Sequence, residues 1–107
     1  MSNYIKSEDT FKELIASKTP VIIKFEADWC PDCKRMDYFM PDVEAQFKEL
    51  PIYTIDKDEF PEIASDNVVM GIPSLLVFQN NEKLGHLHSA NAKTPEEVTD
   101  FLKKNFN

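Results

Sequence analysis

Apolar residues along the chain form short continuous runs in some places and stripes with helical spacing in others. The runs at 21–27, 52–56 and 73–79 each follow or begin with a proline, and continuous short runs of this kind are typical of buried strands. The segment 83–88 follows the third run after a short polar gap and is expected to pair with it. We therefore expect strands in these four ranges, with a short edge strand at 3–6.

Helical patterns lie between the predicted strands. The first starts at the N-cap Ser7 and reaches about residue 17, the second spans 31–50, and a short third begins near 60–64. The last begins with the capping-box sequence of 94–97, where proline occupies the first helical position. Their apolar faces comprise Phe11, Leu14, Ile15, Met36, Met40, Val43, Phe47, Val98, Phe101, Leu102 and Phe106.

The order β-α-β-α-β-α-β-β-α defines an α/β protein. Its alternating first part predicts parallel strands joined by right-handed helical crossovers. Asn80-Asn81 predicts a tight hairpin between the last two strands, because asparagine tolerates the left-handed backbone of such turns. The 107 residues suit one domain, and no linker or repeat divides them. We expect a single domain over 1–107.

Charge and cysteine content narrow the function. The net charge of −7 disfavours nucleic acids and anionic membranes as partners, because both would repel this chain. No apolar run reaches the roughly 20 residues of a transmembrane helix, and residues 1–18 contain no apolar signal segment. Two cysteines are too few for a secreted disulfide framework. We expect a cytoplasmic protein without nucleic-acid or membrane partners.

Both cysteines lie where the run at 21–27 meets the long helix. Cys30 and Cys33 are three positions apart and therefore share one helical turn, so they can form and break a disulfide with little backbone movement. A cysteine at a helix N-terminus is favoured as the thiolate, which is the reactive form. Pro31 suits the first helical position. This chemistry indicates a redox dithiol.

The sequence resembles the thioredoxin family over about residues 4–102, with a W-C-P-D-C active site in place of the more usual W-C-G-P-C. The matching segments are Phe25-x-Ala27-x-Trp29-Cys30-x-x-Cys33-Lys34, Ile55-Asp56 and Gly71-Ile72-Pro73-Ser74-Leu75-Leu76-x-Phe78. The resemblance implies a central mixed sheet of four to five strands with helices on both faces. It also implies a thiol–disulfide oxidoreductase that reduces protein disulfides.

The resemblance implies roles for individual residues. Cys30 would be the accessible attacking thiolate and Cys33 the shielded resolving thiol. The Ile72–Pro73 bond would be cis, and the backbone before the proline would pair with the substrate chain. Trp29 would cover the thiol and contact partners. No bound cofactor is implied: electrons would come from a separate protein, such as a thioredoxin reductase, and pass to disulfide-bearing clients. We expect a monomer.

The chain departs from the family near the dithiol. Lys24 occupies the position of the family's buried aspartate, and Glu26 that of a second tryptophan. We hypothesise that Glu26 pairs with Lys24 and replaces the aspartate as proton relay for Cys33. The alternative is that Lys24 extends to solvent and Glu26 is solvated. Asp32 is expected to oppose thiolate formation, and Ser89 replaces a glycine that borders the family's substrate surface.

Three other functions are compatible with features of the sequence. The proline after Cys30 also suits a glutaredoxin-like reductase that uses a small thiol. The two cysteines with His86 and His88 could form a metal site, although we expect these imidazoles to be exposed on one strand face. Finally, the changes at Lys24 and Ser89 allow an interaction domain that retains the fold without turnover.

Overall fold

A computed structural model describes residues 3–106 of the chain. The helices are α1 (Glu8–Ile15), α2 (Pro31–Glu44), α3 (Pro61–Asp66) and α4 (Pro95–Lys103). The strands are β1 (Val21–Glu26), β2 (Ile52–Asp56), β3 (Ser74–Gln79) and β4 (Glu82–Leu87). A 3-10 turn, Ser89–Asn91, precedes α4.

The strands form one mixed four-stranded sheet, as expected, and their order is β2-β1-β3-β4. β1 runs parallel to β2 and antiparallel to β3, and β3 and β4 form the predicted hairpin. Asn80 and Asn81 at its turn have φ values of 54° and 67°, the left-handed conformation for which asparagine is suited. β1 is therefore central, and every one of its residues is buried.

Helices cover both faces of the sheet. On one face Ile23, Phe25 and Leu76 pack with α1 and α3, whereas on the other Ile22 and Leu75 pack with α2 and α4. Neighbouring residues of a strand point to opposite faces, so a strand covered on both sides must be apolar almost throughout. This explains the continuous apolar run, and it makes the polar residues at the end of β1 conspicuous.

The predicted edge strand at 3–6 is wrong. Only an isolated parallel bridge joins Tyr4 to Thr54, through bonds of 2.7 Å from the Ile5 N–H to the Thr54 carbonyl and 2.9 Å from the Thr54 N–H to the Asn3 carbonyl. Pairing stops there because Ser7 caps α1, its Oγ accepting from the Thr10 N–H at 3.1 Å.

Helix α2 is also shorter than predicted, since it ends at Glu44 rather than near 50. Tighter bonds follow it, from the Gln46 N–H to the Val43 carbonyl at 3.1 Å and from the Phe47 N–H to the Glu44 carbonyl at 3.0 Å. Phe47 still packs against the core from this turn. Helix α3 spans Pro61–Asp66, in the region where the short third helix was predicted to begin.

Candidate redox site

The dithiol is the N-terminus of α2. Cys30 is the N-cap residue, and its Sγ accepts a hydrogen bond from the Cys33 N–H at 3.1 Å. Pro31 occupies the first helical position, where a missing N–H costs nothing. Cys30 and Cys33 are joined by a disulfide, with their Cα atoms 5.3 Å apart. The protein is thus described in its oxidised state.

The expected contrast in exposure between the two cysteines is wrong for this state. Cys30 is 3% exposed and Cys33 is 2% exposed. The reason is that the loop before β3 covers Cys30, whose Sγ lies 3.8 Å from the Ile72 carbonyl oxygen. The cysteines differ in what they face: Cys30 lines an open groove of about 260 Å³, and Cys33 is not among the lining residues.

The far wall of this groove is the loop that carries the Ile72–Pro73 bond, which is cis as predicted. The Ser74 hydroxyl donates to the Gly71 carbonyl at 2.6 Å and ties the loop to the start of β3. Ser89 lines the groove too, and a side chain at Gly71 would collide with its hydroxyl. A larger residue at position 71 would therefore require the Ser89 side chain to move.

Trp29 lies at the rim and is 66% exposed, so it is not part of the core. Its Nε1–H donates to Asp58 Oδ2 at 2.7 Å, which holds the indole beside the groove. Met70 also lines the groove and is 84% exposed. The groove above Cys30 thus has exposed apolar side chains in its lining, a surface suited to another protein chain.

A second polar cluster begins at the end of β1. Lys24 is 4% exposed and Glu26 is 7% exposed, and Lys24 Nζ lies 2.9 Å from Glu26 Oε1. The hypothesised ion pair is confirmed, and the alternative of two solvated side chains is wrong. Lys24 also pairs with Asp37 of α2. A buried ammonium group needs such partners, because an unpaired charge in a covered strand is strongly unfavourable.

Tyr4 completes this cluster by donating its hydroxyl proton to Glu26 Oε2 at 2.8 Å. The hydrogen bond to the carboxylate and the partial burial raise the pKa of Tyr4 to about 12. All four residues line a cleft of about 520 Å³ between β1, β2 and α2. Tyr4 was not predicted as part of this cluster, because no local sequence pattern points to it. Asp37 was not predicted either, although its position one turn after Cys33 could have indicated that it lies near the dithiol.

Asp32 has two cationic neighbours that sequence reasoning also missed. Lys93 Nζ donates to Asp32 Oδ2 at 2.7 Å, and Arg35 Nη1 lies 3.8 Å from Oδ1. The hydrogen bond from Lys93 and its positive charge lower the pKa of Asp32. Asp32 thus carries the expected negative charge beside the dithiol, but a cation from a distant part of the chain compensates it.

His86 and His88 share one face of the last hairpin, as alternation predicts, and their rings stack 3.8 Å apart. The expected exposure holds for His88, but His86 is half-buried. Burial and the Lys83 ammonium lower the pKa of His86 to about 4, and Lys83 Nζ lies 3.0 Å from its Nδ1. Within residues 3–106, no three His, Cys, Asp or Glu side chains cluster in a way that could hold a metal ion.

The fold and the site together define a dithiol–disulfide protein. The sequence model of the thioredoxin family matches residues 3–104, and the chain belongs to this family. It is 30% identical to thioredoxin-1 of Saccharomyces cerevisiae over 91 residues, covering 85% of this chain and 88% of the yeast protein. It is 33% identical to thioredoxin of Buchnera aphidicola over 98 residues, covering 90% and 88% respectively.

The fold is that of solved thioredoxins. The oxidised thioredoxin of Plasmodium falciparum superposes with a TM-score of 0.82 over the full length of both chains at 20% identity. Thioredoxin of Trypanosoma brucei brucei superposes with a TM-score of 0.78, over 96% of this chain and 92% of that one, at 23% identity.

The protein is therefore a thiol–disulfide oxidoreductase, a protein-disulfide reductase of the thioredoxin type. Family membership implies disulfide substrates and a reductase partner in general terms. In the described part of the chain, none of the helices has the length and apolarity that crossing a bilayer requires.

Proposed function

We propose that Cys30 attacks the client disulfide and that Cys33 resolves the product. The Cys30 thiolate forms a bond to one client sulfur while the client S–S bond breaks and the other client sulfur leaves as a thiolate. Cys33 then loses its proton and attacks Cys30 Sγ, which releases the second client thiolate. Two electrons pass to the client, and the protein is left with the Cys30–Cys33 disulfide.

The position of Cys30 carries this assignment. It caps α2 and lines the groove, whereas Cys33 lies one turn inside. In the reduced protein, the unpaired N–H groups of the first turn favour negative charge on Cys30, and the Cys33 N–H already points at its sulfur. Cys30 is thus the cysteine that faces the groove and the one whose thiolate the helix stabilises, although in the oxidised protein it is as buried as Cys33.

The walls of the groove supply the proposed client contacts. The Ile72 carbonyl, 3.8 Å from Cys30 Sγ, would pair with an extended client backbone as a strand edge does. Buried Pro73 fixes the direction of that backbone. Trp29 supplies exposed apolar area at the rim. A client segment bound in this way would present its disulfide to Cys30.

Glu26 is the proposed proton acceptor when Cys33 attacks. It is buried in contact with the Lys24 ammonium and the Tyr4 hydroxyl, on the strand that leads into the dithiol. If it serves this role, Glu26→Gln slows resolution of the mixed disulfide and alters the pH dependence of that step. Resolution at the wild-type rate across pH would leave Glu26 a structural role only.

The remaining proposals concern the setting of the reaction. We expect the chain to act as a single domain and a monomer in the cytoplasm, with disulfide-bearing proteins as clients and a thioredoxin reductase as electron donor. Its charge of −7 supports the absence of nucleic-acid and membrane partners.

Insulin reduction followed by turbidity tests the proposed function, with thioredoxin reductase and NADPH in one arm and glutathione in the other. Turnover sustained by the reductase is expected, and Cys30→Ser should abolish it. Turnover sustained only by glutathione would instead identify the glutaredoxin-like activity. Absence of turnover with both donors would favour an interaction domain.

A further inference from the structure

Lys93 is held in place by the start of α4. Its backbone N–H donates to Glu97 Oε1 at 2.9 Å, and Glu97 also closes the capping box with Thr94. Ala92, just before it, is 2% exposed. The backbone at Lys93 is therefore anchored on both sides, which reduces the entropy lost when its side chain forms a contact.

The Lys93 side chain contacts the residue between the two cysteines. Its Nζ lies 2.7 Å from Asp32 Oδ2, although the two residues are 61 positions apart. Each side chain is about two-fifths exposed, so the contact lies at the edge of the dithiol site rather than in the core. Arg35 is more distant, at 3.8 Å, and more exposed.

Asp32 creates an electrostatic conflict at this site. Its carboxylate occupies the first turn of α2, where it repels a thiolate on Cys30 and offsets the positive helix terminus that stabilises it. Three other charged residues near the groove make contacts of their own or line its wall. Lys57 lines the groove, the ammonium of Lys34 donates to the Asp28 carbonyl, and Asp58 accepts from the Trp29 indole.

On the side of α2 next to β1, the buried cation is already paired with carboxylates. Lys24 is paired there with Glu26 and Asp37, in the cleft described above. Of the cations named around the dithiol, Lys93 makes the shortest contact with the Asp32 carboxylate.

We propose that Lys93 is a positioning residue of the dithiol site: its ammonium group holds and neutralises Asp32, so that the carboxylate does not repel the negative charge on Cys30 during exchange. This inference rests on the proposed function, since it concerns the ease with which Cys30 ionises. It assigns the segment before α4 a role in the reactivity of a thiol at the start of α2.

The experiment measures the rate of Cys30 alkylation by iodoacetamide against pH, in a Cys33→Ser background where Cys30 is the one thiol. Lys93→Met should slow the reaction at pH 6 by roughly two- to fivefold, the range for a partly exposed ion pair, and leave the alkaline plateau unchanged. Lys93→Arg should retain the parent profile. Lys103→Met, which removes the same charge from the far end of α4, is the matched control.

Asp32→Asn distinguishes the proposed route from a direct effect of the Lys93 charge. If Lys93 acts through Asp32, adding Lys93→Met to Asp32→Asn changes the rate no more than the Lys103→Met control does. An equal slowing in both backgrounds overturns the inference, as does an unchanged profile for Lys93→Met alone. A parent protein whose Cys30 shows no titrating thiolate would overturn the proposed function itself. Urea midpoints of all variants exclude unfolding as the cause.

Discussion

The buried pair of Lys24 and Glu26 predicts a stability pattern that single substitutions alone would not reveal. Glu26→Gln leaves the Lys24 ammonium, 4% exposed, without its closest buried carboxylate. Removing one partner of a buried ion pair typically costs about 3–5 kcal/mol. Asp37 still contacts Lys24, and its side chain is 60% exposed, so it compensates in part. We therefore expect Glu26→Gln to lower the free energy of unfolding by about 2–3 kcal/mol.

The double variant Lys24→Met/Glu26→Gln removes both charges and should be nearer to wild type. Replacing a buried pair by uncharged groups of similar volume is often neutral or stabilising. We expect its free energy of unfolding to lie within about 1 kcal/mol of wild type, which makes the substitutions strongly non-additive. Urea unfolding at pH 7, followed by circular dichroism, measures the free energy of unfolding of wild type, of each single variant and of the double variant.

Glu13→Gln, an exposed substitution in α1, is the matched control and should change the free energy by less than about 0.5 kcal/mol. A Glu26→Gln variant whose free energy of unfolding changes as little as that of this control would contradict the expected cost of leaving Lys24 without Glu26. A double variant that loses as much free energy as the single variants Glu26→Gln and Lys24→Met added together would contradict the predicted non-additivity, since the two charges would then not be coupled.

Three further predictions concern stability. Val68 has a φ of 60°, which costs a β-branched residue about 1–2 kcal/mol. Thermal unfolding should therefore show Val68→Gly to be more stable than wild type by about 0.5–1 kcal/mol. Val68→Ala should gain less stability, because alanine keeps the Cβ atom. The pKa of Tyr4 is raised to about 12, so the stabilisation from its hydrogen bond to Glu26 is complete below pH 10 and is lost as the pH rises towards 12. Because Tyr4 is 44% exposed, we expect this stabilisation to contribute about 1 kcal/mol to the free energy of unfolding. Urea midpoints should therefore fall over this pH range in wild type, and fall less in Tyr4→Phe. Thr94→Ala should cost about 1 kcal/mol by loss of the N-cap of α4, whereas Thr94→Ser should keep it; equal urea midpoints for the two would contradict this.

The features predicted correctly from sequence depend on local patterns. The continuous run of β1, the Asn80-Asn81 turn and the capping box of α4 each specify their structure through a few adjacent residues. The dithiol belongs with them, because Cys30 and Cys33 lie within one turn. The pairing of Lys24 with Glu26 was also predicted from the sequence, because alternate residues of a strand share a face.

The features that sequence reasoning missed depend on contacts between distant segments. Lys93 reaches Asp32 only because α4 packs beside α2 on one face of the sheet. Tyr4 reaches Glu26 because the N-terminal segment runs along the outer edge of β2. The equal burial of Cys30 and Cys33 likewise follows from the position of the Ile72 loop, which no local pattern specifies.

The central claim is that Cys30 forms the covalent bond to the client and Cys33 breaks it. Mass spectrometry of Cys33→Ser and Cys30→Ser, each reduced and mixed with a disulfide-bearing protein such as insulin, tests it most directly. We expect a stable mixed disulfide through Cys30 in Cys33→Ser and little adduct in Cys30→Ser. An adduct formed mainly in Cys30→Ser, or none in either variant, would contradict it.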